Sequence, residues 1–364
     1  MTRFKYFFWL LSTLLWIPLV TFSQQNYKDH SFTRIDSFAK TVKFKKNVYQ
    51  LTKELTDPYP EQLEKTRAIF VWITENIRYD YKFYNSGKEI KTPECKDGMN
   101  CEQLFLEWEN KYINRILKKK KGICGGYSRL FKKMCDIAGI TCEIIEGYTR
   151  TNPYQVGNPG NLDHAWNVIY IDSAYFLLDA TWAAGGCIED EESGKLLSYK
   201  KNFNNYYWLT PFHEFTRNHY PKNGKWVFEP NYTKEKFAAN PYYSSDIISK
   251  ITLITPHSGI IDVLKGDTLR FKFKFSDYIS HLQVNTNVTR SPDIFKWESV
   301  KRRKKVLMLD TLALKKQKYI HYTLNDDIYE FEYVVTDESI YYLDILFEYR
   351  RVMRFKINIV KKAT

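Results

Sequence analysis

The chain has 364 residues, room for two ordinary domains, and its 44% hydrophobic and 17% aromatic content supplies enough core material to exclude a largely disordered protein. Its 55 Lys and Arg against 42 Asp and Glu give a net charge of +13, a bias toward anionic surfaces or acidic partners. The basic residues are scattered except for dense runs at 118–121 and 301–305. No aromatic-spaced basic groove accompanies those runs, which argues against a nucleic-acid partner.

In chain order, Arg3 and Lys5 precede a largely apolar stretch over 7–22, and Thr21 and Ser23 are small residues before Gln24. This pattern predicts an export signal, residues 1–23, cleaved after Ser23. The rival reading is an uncleaved anchor, but the apolar run includes Pro18 and is short for a span. No later stretch is long and apolar enough to cross a membrane, so the expected mature protein is secreted, periplasmic or at the cell surface.

Apolar residues at Ile35, Phe38, Val42, Val48, Leu51 and Leu55 predict one or two helices, ended by Asp57-Pro58. Residues 59–77 form the next predicted helix, with Leu63, Ile69, Ile73 and Ile77 on one stripe and Phe70 and Trp72 as core. Tyr79 and Tyr81 end this element, as packing residues or as a hydrogen-bond donor to a reacting oxygen. Residues 82–101 are polar, with Gly87, Pro93 and Gly98, and read as a loop. A helix over 102–120 follows, acidic in its first half and basic in its second, as the helix dipole favours.

The stretch 121–182 carries the chemistry. Cys124 follows Gly122-Ile123 and opens a helical pattern with Leu130, Phe131, Met134 and Ile137 on one face and Gly139 as C-cap. The positive end of a helix stabilises a thiolate, the nucleophilic form of cysteine. Gly125 and Gly126 are expected to leave room for a substrate backbone. HAWNVIYI and YFLLDATW then read as a hairpin. If Asp172-Ser173 is its loop, Ile171 pairs with Ala174, Asp179 lies opposite Trp166, and Asp179 becomes a diagonal neighbour of His164 on the same face. A three-residue loop would separate them. The expected roles are a nucleophile in Cys124, a base in His164 and an orienting carboxylate in Asp179.

GICGGY, DHAWNV and LLDATW together resemble the three motifs of the transglutaminase-like superfamily, papain-like folds with a Cys-His-Asp triad. KTRAIFVWITENIRYDY resembles the helix before the cysteine in that family. NYYWLTPFHEFTRNHYPKNGKWVF resembles the tail of the branch related to kyphoscoliosis peptidase. The resemblance covers residues 33–228. It departs at 82–121, where a shorter connection to the cysteine would be expected. His213 and His219 are rival bases; His219, before Tyr220-Pro221, resembles a structural position, and His164 has the carboxylate partner.

Residues 150–160, rich in Asn, Pro and Gly, form a loop that could shape substrate entry. Another loop, with the acidic run 189–192, lies beyond Trp182. From residue 248 short alternating runs split by turn residues predict an antiparallel β-sandwich. The expected fold class is therefore α+β: a papain-like transglutaminase core over 24–245, helices plus antiparallel sheet, then the sandwich over 246–364.

Six cysteines are present. Cys95 and Cys101 are the expected disulfide; Cys135 and Cys142 read equally as buried thiols or as a pair; Cys187 is the sixth. The spacings fit no zinc template, so no metal and no cofactor are expected. The expected activity is acyl transfer through a thioester, most simply hydrolysis of a peptide, isopeptide or amide bond in a protein or peptide substrate, with cell-wall and cell-surface material in range. Crosslinking by a lysine acceptor and a non-catalytic binding scaffold are the alternatives.

Overall fold

The computed structural model describes residues 31–190, 193–301 and 304–361. The expected export signal, Glu191 and Glu192 of the acidic run, and Arg302 and Arg303 of the second basic run lie outside the described residues. The chain divides into two units: one runs to Ile144 and includes Trp166–Pro211, the other comprises Ile145–Ala165 and the chain from Phe212 onward.

The first unit begins with α1 (Thr33–Thr41), α2 (Val48–Thr56) and α3 (Gln62–Asn76). The periodic run 33–55 is thus two helices, and Asn47 caps the second by accepting from the Gln50 amide at 2.9 Å. Every residue of α3 from Thr66 to Thr74 is buried, so this helix is apolar nearly all round and forms the centre of its unit. The indole of the core residue Trp72 donates to the Val42 carbonyl at 3.0 Å.

Arg67 is the one guanidinium in that buried stretch. Its Nε and Nη2 donate to Oδ1 and Oδ2 of Asp36, each at 2.7 Å, and Nη1 donates to Asn205 Oδ1 at 2.7 Å. Its flat face lies 4.9 Å from the Phe32 ring and 5.0 Å from Trp208. The bidentate geometry, together with the aromatic faces, is what makes burial of a cation tolerable here.

A short parallel pair, β1 (Arg78–Tyr79) with β2 (Lys121–Gly122), brackets the insertion. Within it α4 (Tyr81–Asn85) leads into an irregular segment and then α5 (Cys101–Lys119). The loop expected over 82–101 thus begins with one helical turn. Cys95 and Cys101 are disulfide-bonded, with Cα atoms 5.5 Å apart. Next come α6 (Cys124–Ile137), β3 (Thr141–Thr149), β4 (Leu162–Ile171), β5 (Ala174–Leu178), α7 (Ala180–Ala184) and the hairpin β6 (Gly185–Glu189) and β7 (Leu196–Lys201). Helix α6 ends at Gly139, φ +73°, where the Ile140 amide returns to the Cys135 carbonyl at 2.9 Å and the Gly139 amide to Asp136. The main sheet runs β5-β4-β3-β8, with β8 at His219–Pro221.

The second unit contains two packed sheets. One has the order β10 (Ile251–Thr255), β12 (Thr268–Phe275), β17 (Ile328–Val334), β16 (Thr323–Asn325). The other has β11 (Ile260–Val263), β19 (Arg350–Ile359), β18 (Tyr342–Phe347) and β13 (Leu282–Thr286), with β9 (Tyr242–Tyr243) also on β19. Their inner faces share one core, where Phe271 and Phe355 meet at 5.2 Å. Strand β12 shows the cause plainly. Phe271, Phe273 and Phe275 are buried, while Arg270, Lys272 and Lys274 face outward to Glu332, Glu330 and Asp327. The pairings are antiparallel as the alternation predicts, with one exception: β11 joins β19 in parallel.

Arg67→Met should unseat α1 from α3. It removes the paired charge and leaves Asp36 behind; because the Asp36 side chain is 21% exposed, we expect a loss of about 3 kcal/mol, at the lower end for a broken buried pair, read from the urea midpoint.

Candidate active site

Cys124 is the first residue of α6, half-buried, and its backbone is fixed from the upstream side. Lys120, at φ +51°, ends α5 and turns the chain into β2. There the Arg78 amide donates to the Lys120 carbonyl at 3.1 Å and the Asp80 amide to Gly122 at 2.9 Å. Helix α6 starts with the Gly126 and Tyr127 amides on the Ile123 carbonyl, at 2.7 and 3.1 Å. Tyr127, fully buried, donates its hydroxyl to the Ile77 carbonyl at 2.6 Å. These bonds tie the cysteine's turn to the end of α3.

The two glycines after Cys124 do different work. A Cβ on Gly125 would meet nothing within 4 Å, so this side of the turn is open as expected. A Cβ on Gly126 would lie 2.9 Å from the Tyr112 hydroxyl and 3.0 Å from Ile116 Cδ1. Gly126 is buried against α5, so the space its missing side chain leaves is filled by Tyr112 and Ile116 rather than left open for substrate.

The hairpin has the two-residue loop, with Asp172 and Ser173 at φ +49° and +65°. Ile171 pairs with Ala174, and the ladder runs to Asn167 opposite Leu178. The next step of that register sets Asp179 against Trp166, but the strand has ended. Asp179 leaves the ladder, with its amide on the Tyr207 carbonyl at 3.0 Å, and becomes the N-cap of α7. LLDATW is thus a strand end and a helix start rather than one strand. The Asp179 carboxylate is fully buried, and its Oδ1 accepts from the Thr181 and Trp182 amides at 2.7 and 3.2 Å. Helix α7 packs on α6 and α3, so the caps that begin at Cys124 and at Asp179 belong to one helical layer.

Asn167 was not singled out in the sequence, yet it joins these pieces. Its buried amide donates to the Ser128 carbonyl of α6 at 3.1 Å, the Glu143 carbonyl of β3 at 3.3 Å and Cys142 Sγ at 3.5 Å. The available signal was a polar residue between Trp166 and Val168, within a run that is otherwise apolar.

His164 stands near the start of β4, half-buried. Its ring centroid is 5.5 Å from that of His219 on β8, which is fully buried. His219 stacks on Phe215 at 4.2 Å, and its Nδ1 is 2.7 Å from Asn218 Oδ1. The sequence assigned His219 a structural role without placing it beside His164. His213 is exposed on a one-turn helix, Phe212–Phe215. Burial pushes the carboxyl of the neighbouring Asp163 upward, opposed by His164 and by a hydrogen bond from Thr149. Tyr79 packs against Tyr84, with centroids 6.1 Å apart.

Residues 150–160 are held by their own unit. Arg150, 3% exposed, donates to the carbonyls of Gln155, Phe237 and Ala238 at 2.6, 2.7 and 3.1 Å. Arg354 of β19 lies 4.8 Å from the Tyr154 ring. The loop before His164 is therefore fastened to the short helix Lys234–Ala238 and lies against β19. Cys135 and Cys142 are free buried thiols; burial first, then contact with Cys142, holds the Cys135 thiol well above its ordinary range. Burial pushes the Cys187 thiol up to about 11.

Residues 49–180 match the model of the transglutaminase-like superfamily. With its α+β architecture, the cysteine at a helix start and the hairpin behind it, the chain carries a domain of that superfamily. Over 239 residues it is 30% identical to the kyphoscoliosis peptidases of Mus musculus and Homo sapiens, covering 65% of this chain and 32% of each relative. It is 24% identical over 225 residues to Hillarin of Drosophila melanogaster, covering 59% of this chain and 25% of that one. The chain thus spans about a third or less of the length of these relatives. The solved periplasmic domain of TgpA from Pseudomonas aeruginosa aligns over 43% of this chain and 49% of that chain, at 16% identity and a TM-score of 0.26, too low to carry weight.

The two glycines give a paired test. Gly126→Ala should cost about 1–3 kcal/mol, because Tyr112 and Ile116 must shift. Gly125→Ala should stay within about 1 kcal/mol of the parent. Chemical denaturation of both variants measures the contrast.

Proposed function

We propose that this protein is an exported cysteine acyl-transfer enzyme that hydrolyses peptide, isopeptide or side-chain amide bonds through Cys124, His164 and Asp179. The observation that carries the reading is Cys124 as the first residue of α6, beside an open Gly125, in a transglutaminase-like domain. The hairpin supports it, since its loop has the two residues this reading needs and Asp179 follows directly on Leu178, the last residue of the ladder. The kyphoscoliosis peptidases, to which the chain is similar, carry a peptidase in their name, which favours water as the acceptor.

In the proposed reaction Cys124 Sγ attacks the substrate carbonyl carbon, and its proton passes to His164. The Cys124 backbone N–H at the start of α6 helps hold the oxyanion. Collapse breaks the C–N bond, and His164 returns the proton to the leaving amine. Water, deprotonated by His164, then attacks the thioester; the acid leaves and the thiol is restored. Asp179 holds the imidazole in one tautomer and orientation. Its capping bonds use Oδ1 alone, which suits a carboxylate held rigidly while its other oxygen faces a partner.

Cys124→Ser and His164→Ala should each abolish release of product from a peptide or glutamine-amide panel. Asp179→Asn should leave residual turnover with the fold intact, because asparagine keeps the N-cap. Turnover by Cys124→Ser equal to the parent would overturn the assignment. Incorporation of a labelled primary amine in place of release would change the acceptor from water to amine.

A further inference from the structure

The insertion between β1 and β2 builds a pocket of its own. Its volume is about 370 Å³, within the range of small-ligand sites, and Glu89, Lys91, Trp108, Lys111, Tyr112 and Arg115 line it. One wall is aromatic. Trp108 and Tyr112, one turn apart on α5, stack with centroids 5.6 Å apart and planes at 14°. The Trp108 indole donates to the Lys91 carbonyl at 3.0 Å, which draws the irregular strand of the insertion across the helix. The Cys95–Cys101 disulfide closes that strand onto the first turn of α5.

The rim is cationic. Three of its lining residues, Lys91, Lys111 and Arg115, are cations, and one, Glu89, is a carboxylate. Among the described residues no salt bridge takes up any of those three cations. The Arg115 guanidinium lies 5.3 Å from the Tyr112 ring, and that of Arg129 lies 5.3 Å from the Trp108 ring. Flat aromatic faces under unpaired cations suit a short apolar stem that ends in a carboxylate.

The aromatic wall reaches the turn that carries Cys124. The Tyr112 hydroxyl is the atom that excludes a Cβ at Gly126, two residues after Cys124. Burial first pushes the Tyr112 phenol up to about 12, with Arg115 and Arg129 opposing and Cys124 adding, so it remains a neutral hydroxyl.

We infer that this pocket is a substrate subsite for a carboxylate, supplied by an acidic side chain or by the free C-terminus of the chain to be cut. The inference rests on the acyl-transfer reading for its purpose, but binding at the pocket needs no chemistry.

The test uses the full chain with Cys124→Ala, so that nothing turns over, and three alanine-based hexapeptides in isothermal titration calorimetry. One carries glutamate and an amidated end, one glutamine and an amidated end, and one glutamine and a free end. Either carboxylate peptide should bind about tenfold more tightly than the glutamine amide, the scale of one charge-assisted contact. The glutamate peptide alone would identify the side chain as the ligand, and the free-end peptide alone the chain terminus. Adding Lys111→Met and Arg115→Met, both exposed positions, should remove the preference. Equal affinities, no binding by any of the three, or a preference that survives both substitutions would overturn the inference. A preference seen here in a protein whose Cys124 form lacks turnover removes the catalytic reading and leaves the pocket standing; turnover without the preference does the reverse.

Discussion

One buried amide holds α6 in register with β3 and β4. Asn167 sits on the strand that carries His164 and donates to a carbonyl of the Cys124 helix and a carbonyl of β3. A buried donor without acceptors costs more than an apolar side chain would, so the arrangement is stable only when α6, β3 and β4 stand in one mutual position. Hydrophobic packing alone would let a helix slide on a sheet by a fraction of a turn at small cost. The amide removes that freedom in the first turns of the helix that Cys124 begins. The cap of α7 by Asp179 adds a second directional constraint in the same layer.

The insertion before Cys124 is fixed by the same kind of economy. Its contact with α6 is made possible by the missing side chain of Gly126, and its shape by the Cys95–Cys101 bond and the Trp108 indole. A loop closed over six residues gains little from chain entropy, so the disulfide serves local shape more than global stability. What lengthens the connection to Cys124 also packs Tyr112 and Ile116 against the first turn of its helix.

The C-terminal strands contribute more than bulk. The loop entering the His164 strand is fastened by Arg150 to the Phe237 and Ala238 carbonyls and lies against Tyr154 and Arg354. Arg354 is itself held by Asp344, with Nη2 to Oδ2 at 2.7 Å. A buried guanidinium with carbonyl acceptors is intolerant of movement, because each lost bond leaves a polar group in an apolar setting. The helix Lys234–Ala238 and β19 together restrain the backbone that leads into His164.

Local pattern determined a great deal. The helices at 62–76, 101–119 and 124–137, the C-cap at Gly139 and the alternation in β12 all follow from short-range periodicity and capping chemistry, whereas the length of the Asp172-Ser173 turn was settled by the paired strands. These are properties of adjacent residues, and so a linear reading finds them. The three motifs named the superfamily for the same reason. Tertiary structure decided what depends on residues far apart in the chain. Nothing near Gly126 in the sequence announces Tyr112, and nothing near His164 announces His219. The strand break at Asp179 comes from the Tyr207 carbonyl, and the parallel union of β11 with β19 joins segments about ninety residues apart. Periodicity states which face of an element is buried. It carries no term for what that face meets, and the partners of Asn167, Gly126 and Asp179 are set by that meeting.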